Sequence, residues 1–292
     1  MLEKFKANIV FNLLLKRRDI NKAYKMVGPE DSWYDTITTV HNSLAEIRKL
    51  PFENWELTSF DGLRLKAIYY PGNSDKTVIW VHGYTSHAER ESAFPGLFYH
   101  SLGYNVLIPY LRTHGPSEGK WITMGTLEAR DIMGWVNKVN AIHPEGSVLI
   151  HGLSMGGGIV LDLATKDMAN VKCLVADAPV DSLPQSFQRI IGGTFKKDQE
   201  KIVAHLKGKY NKVFSVNVDD YDFVENLKQG KYPLLLSAGS NENLDEILHK
   251  MKRNNPQDTT VLILPGCNHG NGMYKQTELY QGTIREFVEK YM

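Results

Sequence analysis

Residues 148–161 read VLIHGLSMGGGIVL. An apolar run, Val148-Leu149-Ile150, halts at Gly152, a single hydroxyl follows at Ser154, and Gly156, Gly157 and Gly158 precede a second apolar run. The first half has the composition of a buried strand and the second half that of a helix start. In an open parallel sheet, ligands bind beyond the carboxyl ends of the strands, and Ser154 stands at such an end. The Gly-x-Ser-x-Gly spacing has a mechanical cause: a strand-to-helix turn this tight strains the central residue and leaves no room for side chains two positions away. The outcome is an exposed hydroxyl at a helix N-terminus, where backbone N–H groups and the helix dipole favour developing negative charge.

Around this stretch the chain alternates strands and helices. KTVIWVHG, YNVLIPY, VKCLVADAP, YPLLLSAG and TTVLILPG are strand-like, whereas MGTLEARDIMGWVNKVNAI and the closing TELYQGTIREFVEKYM are helix-like. Before them, alternation on both sides of Asp61-Gly62 marks a hairpin. Continuously apolar strands separated by helices predict an α/β fold: a mostly parallel eight-stranded sheet covered on both faces, with antiparallel strands at one edge. Residues 1–50 form a helical N-terminal extension ended by Pro51, and residues 51–292 form the main domain. The polar, helix-like interval 182–231 breaks the rhythm and reads as a helical cap inserted over one end of the sheet.

With 34 basic and 33 acidic side chains, the net charge of +1 argues against a general attraction to nucleic acid. The N-terminal apolar stretch Ala7–Leu15 is too short to span a bilayer, so no stable membrane insertion is expected. Leu2, Phe5, Ile9 and Leu13 recur at helical spacing, which predicts a helix packed by that face on the domain or on a partner chain, with a homo-oligomer as one consequence and loose membrane association as the other reading. The two cysteines, Cys173 and Cys267, lie outside any CxxC pair and fit buried thiols in a reducing cytoplasm.

Four stretches carry a family likeness: VHGYTS at Val81–Ser86, LRTHGPSEGKWITMGTLEARDIMGWV at Leu111–Val136, GLSMGG at Gly152–Gly157, and GCNHG at Gly266–Gly270. From Trp55 to Met292 the chain resembles the α/β-hydrolases, in particular bacterial cap-bearing serine hydrolases of the cinnamoyl-esterase and lipase-like kind. The resemblance implies a triad in the order serine, acid, histidine, and no cofactor or metal. It departs at Tyr110 and Thr113, where related sequences carry Asp and Gly, which bears on the conformation of the loop.

A serine hydroxyl needs a base, and the base needs an orienting carboxylate. His269 follows the last apolar strand on a glycine-rich loop and is the expected base. His82 is read as a loop brace, His151 as a packed strand-end residue, and His205 and His249 as surface residues. The acid stays open among Glu242, which occupies the Gly-x-x-Asp position of related enzymes, Asp177, Asp245 and a surrogate at Asn241. Backbone N–H groups of Met155 and Tyr84 are the expected oxyanion donors. Glu128 and Asp131, three apart on a helix, suggest a solvated or Arg-paired face. The expected chemistry is hydrolysis of a small-molecule carboxylic ester with a small or medium apolar or aromatic acyl group, received between the cap and Tyr84, Phe94, Phe98 and Trp121. A peptidase, thioesterase or acyltransferase on the same triad, or a binding protein without turnover, are the alternatives.

Overall fold

The computed structural model describes residues 1–17, 31–195 and 197–292. In chain order it contains α1 (Leu2–Leu15), a 3-10 turn at Tyr34–Thr36 running into α2 (Ile37–Ile47), β1 (Glu53–Thr58), β2 (Arg64–Tyr70), β3 (Lys76–Val81), α3 (Ala88–Ser101), β4 (Asn105–Tyr110) and α4 (Glu128–Ile142). There follow β5 (Ser147–Leu153), α5 (Met155–Leu163), β6 (Val171–Asp177), α6 (Leu183–Thr194), α7 (Gln199–Phe214) and the short α8 (Phe223–Asn226). β7 (Leu234–Gly239), α9 (Asp245–Asn254), β8 (Thr259–Leu264), α10 (Gly272–Lys275) and α11 (Thr277–Tyr291) complete the fold.

The eight strands form one sheet in the order β1-β2-β4-β3-β5-β6-β7-β8. β1 and β2 pair antiparallel around the Asp61-Gly62 turn, β2 pairs antiparallel with β4, and the rest are parallel. Because side chains alternate along a strand, each central strand serves two cores. Val148 and Ile150 of β5 face a cluster with α1 and α4–α9, whereas Leu149 and Leu153 face a second cluster with α2, α3 and α11. Each fully buried Leu, Ile or Phe contributes about 1.5–3 kcal/mol relative to exposure, so the two clusters hold the sheet between helical layers.

Of the helical stretch expected over residues 1–50, α1 and α2 are described, and residues 18–30 lie outside the described ones. The two helices lie in different cores: Phe11 and Leu15 of α1 pack on one side of the sheet, and Ile47 of α2 on the other. The face of α1 that packs is not the expected one. Ala7, Val10, Phe11 and Leu15 are buried, while Leu2, Phe5, Ile9 and Leu13 point outward. The helix is apolar on both sides, so spacing alone could not select the inner face.

The helix expected from Met124 begins at Glu128. Its carboxylate takes the N–H groups of Thr123 (2.7 Å) and Gly125 (2.9 Å), and Met124 has a left-handed φ of 50°, so these residues form a turn instead. Asp131 pairs with Arg112 at 2.7 Å, and Arg112 also reaches Asp61 at 2.9 Å. Glu128 and Asp131 are both buried, so of the two expected readings the solvated face fails and the Arg-paired one holds for Asp131. Between β6 and β7 the chain makes α6, α7 and α8, and a bridge between Ser182 and Asp222 closes the base of this excursion. Both cysteines are buried and unpaired, as expected.

Candidate active site

Ser154 is the residue between β5 and α5, with φ 60° and ψ −113°. A non-glycine side chain in that backbone region costs of order 1–3 kcal/mol and persists only where its surroundings enforce it. The enforcement is visible at both flanking glycines. A Cβ on Gly152 would stand 2.2 Å from the Gly156 carbonyl oxygen, and one on Gly156 would stand 2.0 Å from that of Val81. The Ser154 N–H donates to the Asp177 carbonyl at 2.8 Å, which ties the bend to the neighbouring strand.

His269 lies on the loop after β8. Its Nε2 is 2.9 Å from Ser154 Oγ, and its Nδ1 is 2.6 Å from Glu242 Oε2. The carboxylate fixes the tautomer: Nδ1 carries the hydrogen and Nε2 presents its lone pair to the serine hydroxyl. The other Glu242 oxygen accepts the Gly239 N–H at 2.8 Å, so the carboxylate is held at both ends. Its side chain is 8% exposed and that of His269 57%, which shields the acid and leaves the base reachable. The hydrogen bond that His269 Nδ1 donates to Glu242 raises the His269 pKa above its ordinary value, against an opposing effect of partial burial.

The loops carrying acid and base are fastened to each other. Asn241 N–H donates to the Cys267 carbonyl at 3.0 Å, its side-chain amide donates to Asn268 at 2.9 Å, and the Gly266 N–H donates to Ser240 Oγ at 2.9 Å. Asn241 is thereby a loop fastener. Asp245 opens α9, away from the imidazole's hydrogen bonds. Asp177 is buried, and its carboxylate accepts hydrogen bonds from Ser237 and, at 2.7 Å, from Tyr280. Of the four candidate acids, the structure brings Glu242 alone into hydrogen-bond contact with His269.

Met155 is the first residue of α5, where a backbone N–H has no partner within the helix. Tyr84 lies just after β3, and its Oη donates to the Leu14 carbonyl at 2.6 Å, joining this loop to α1. Gly83 is held on both sides: its carbonyl accepts from His82 Nδ1 at 2.8 Å, and its N–H lies 3.0 and 3.1 Å from the two Glu91 oxygens. His82 therefore braces the loop, His151 is packed inside the strand end, and His205 and His249 are exposed.

A cavity of about 450 Å³ opens over Ser154 and His269. Its walls include Trp33, Ile37 and Val40 from the segment preceding β1, together with Tyr84, Leu153 and Tyr274. Among the described residues, none of the interval 182–231 lines it. The expected aromatic mouth is thus only partly met. Tyr84 lines the cavity, Phe94 packs behind it on Tyr274 (5.0 Å between centroids), Phe98 is buried, and Trp121 packs on Phe11 at 5.2 Å. Trp33 covers the base loop: a Cβ on Gly270 would lie 3.2 Å from its ring, and Asn271 donates to the Ser32 carbonyl at 3.0 Å.

Sequence reasoning missed Glu91 and the wall made by residues 31–41. Glu91 lines the cavity, and desolvation pushes its pKa up to about 7 against the opposing effect of hydrogen bonds from Ser86 and Gly83. In the sequence it is one of two glutamates in the first turn of α3, a place where acidic residues are common. Trp33 and Ile37 lie far from every motif, and only a fold that brings α2 onto α3 places them here.

The family described as "Serine aminopeptidase, S33" matches residues 72–266. The uncharacterized protein YqkD of Bacillus subtilis is 35% identical over 257 residues, covering 82% of this chain and 81% of that protein. A multifunctional-autoprocessing repeats-in-toxin protein of Vibrio cholerae is 32% identical over 137 residues, 42% of this chain, and the match takes in only 3% of the toxin. Among solved structures, an esterase of Pyrococcus furiosus superposes with a TM-score of 0.64 at 26% identity, covering 92% of this chain and 99% of that one. An alpha-beta hydrolase of Vibrio vulnificus, at 20% identity and TM-score 0.64, covers 97% and 93% and shares the fold.

Proposed function

The chain belongs to the serine aminopeptidase, S33, family and is a serine hydrolase of the α/β-hydrolase fold, and on that premise we propose that it cleaves small-molecule carboxylic esters with Ser154, His269 and Glu242. His269 Nε2 takes the proton from Ser154 Oγ as the oxygen attacks the ester carbonyl carbon. Tyr84 and Met155 N–H groups receive the oxyanion, and Glu242 stabilises the imidazolium. Collapse of the tetrahedral intermediate breaks the bond to the alcohol oxygen, which leaves with the proton from His269. Water, deprotonated by His269, then attacks the acyl-enzyme and releases the acid, regenerating the Ser154 hydroxyl.

The observation that carries this reading is the continuous hydrogen-bonded line from Glu242 through His269 to Ser154 on a strained bend. Likeness to an esterase across nearly the whole chain and the apolar cavity wall of Trp33, Ile37, Val40 and Leu153 favour an ester with a small or medium acyl group. A second reading, an aminoacyl-directed peptidase, is favoured by the Glu91 carboxyl on the cavity wall, which suits an ammonium group. A panel of p-nitrophenyl esters against aminoacyl anilides tests the proposal: turnover of anilides with none of simple esters would replace it by the second reading. Covalent labelling by a fluorophosphonate, absent in Ser154→Ala, tests the nucleophile.

We place the protein in the cytoplasm on the strength of its two buried, unpaired cysteines. No described helix is long and apolar enough to cross a membrane. The helices α6–α8 are proposed as the cap, although none of their described residues lines the cavity.

A further inference from the structure

An apolar helix face is one that ends up covered. α1 carries two such faces, with Glu3, Lys4, Lys6, Asn8 and Asn12 between them, and the domain covers one. Phe11 and Leu15 are fully buried, whereas Leu2, Phe5, Ile9 and Leu13 are 59%, 61%, 40% and 59% exposed and form one stripe along the outer face. The helix is not a loose tail. Its last turn is fastened by the Ile122 N–H on the Leu15 carbonyl (2.7 Å), the Arg17 N–H on the Lys120 carbonyl (2.9 Å) and Tyr84 Oη on the Leu14 carbonyl. The stripe is a fixed, exposed apolar ridge.

Its surroundings are basic. α1 packs beside α7, with Phe11 stacked on Phe214 and Lys209 donating to Asn8. Together the two helices carry six lysines and two glutamates, in a protein whose net charge is only +1. Lys16 and Arg17 extend the basic zone at the end of α1, and Lys4, Lys201 and Lys212 are exposed. A second copy docking by the same face in a two-fold dimer would set these lysines against their own symmetry mates, a like-charge contact of the kind that disfavours association. An anionic lipid surface meets both requirements: acyl chains for the stripe and phosphates for the lysines. With 14 residues, α1 is too short to cross a bilayer and would lie in its interface.

We propose that α1, with the lysines of α7, is a docking surface for an anionic phospholipid bilayer, and that the outer stripe inserts at the headgroup boundary. The contact from Leu14 to Tyr84 sets this surface one hydrogen bond from the loop at the mouth of the cavity. Binding weakens with salt, since the lysine contribution is screened while the apolar one is not.

The test is co-sedimentation of the full chain with phosphatidylglycerol-containing vesicles against pure phosphatidylcholine vesicles. The expected result is binding to the first, weakened about tenfold or more by Phe5→Ser with Ile9→Ser, and likewise by Lys201→Glu with Lys212→Glu, which keeps the stripe intact. Absence of binding to anionic vesicles, or equal binding by both variants and wild type, overturns it. So does a dimer seen by light scattering that becomes a monomer in Phe5→Ser with Ile9→Ser, because a second copy is then the occupant. Turnover of a soluble activated ester, expected to be equal in wild type and variants, reports separately on the catalytic reading: its loss in every protein, with vesicle binding kept, sinks that reading and leaves the docking surface standing.

Discussion

His82 Nδ1 donates to the Gly83 carbonyl at 2.8 Å, and this one bond sets the direction of the next amide. The Leu111 N–H donates to His82 Nε2 at 3.2 Å, which leaves the ring hydrogen on Nδ1. In a trans peptide the carbonyl and the following N–H point in opposite directions, so fixing the Gly83 oxygen fixes the Tyr84 N–H. Burial holds the His82 pKa well below its ordinary value, so the ring stays neutral and keeps this tautomer across the working pH range.

Removing the nucleophile or the base should abolish turnover while leaving the fold intact. Ser154→Ala and His269→Ala are each expected to lower kcat on activated esters by on the order of 10⁶, because the two residues act as a unit. Steady-state rates beside far-ultraviolet circular dichroism check this, and a variant keeping a few per cent of activity would exclude its residue from the mechanism.

Glu242 and Asp177 separate in their pH signatures. His269 must be neutral to accept the serine proton, so kcat/KM should rise with pH through a midpoint above the ordinary histidine value of 6.5. Glu242→Gln removes the largest cause of that elevation, so the midpoint should move down and kcat fall by about 10⁴. Asp177→Asn disturbs Tyr280 and Ser237 and is expected to act mainly on stability. The opposite ranking in a pH–rate series would move the acid to Asp177.

Glu91 gives a test in stability and one in rate. Its folded pKa stands near 7, above the ordinary 4.5, so between these values the folded state holds more protons than the unfolded one and stability falls as pH rises. Glu91→Gln removes that dependence. The melting temperature of wild type should therefore drop relative to Glu91→Gln as pH climbs from 4.5 to 7. Glutamine can still accept the Gly83 N–H and should keep most of kcat, whereas Glu91→Leu should lose about 10²-fold through misplacement of the loop.

Cavity size should follow α2. Replacing Ile37 or Val40 by alanine deepens the wall and should shift the ratio of kcat/KM for longer against shorter acyl chains by about tenfold, the scale of one or two methylenes in an apolar pocket. An unchanged ratio across p-nitrophenyl esters of increasing chain length would place the acyl group elsewhere.

The sheet was legible because its strands are written as uninterrupted apolar runs, and the elbow because Gly152 and Gly156 have no substitute where backbone oxygens stand within 2.2 Å of a Cβ. Ser154 and His269 could be singled out because each follows such a run. The inner face of α1 could not be read, because Phe5 and Phe11 are equally apolar and the rings that receive Phe11, Trp121 and Phe214, come from distant stretches of the chain. Nor could Glu91: its chemistry depends on lying against Gly83, a closeness created by the turn between β3 and α3 and by no periodicity.

Trp33, Ile37 and Val40 precede the first strand, while Ser154, Glu242 and His269 all follow strands of the later half. One wall of the cavity and the groups that cut the bond therefore come from opposite halves of the polypeptide, and they meet where Trp33 and Ser32 touch the loop of His269. Grafting residues 34–47 from one such chain onto another, with Ser32 and Trp33 kept to seat that loop, would re-tailor the range of accepted molecules, a freedom that drift and selection could exploit as readily as an engineer.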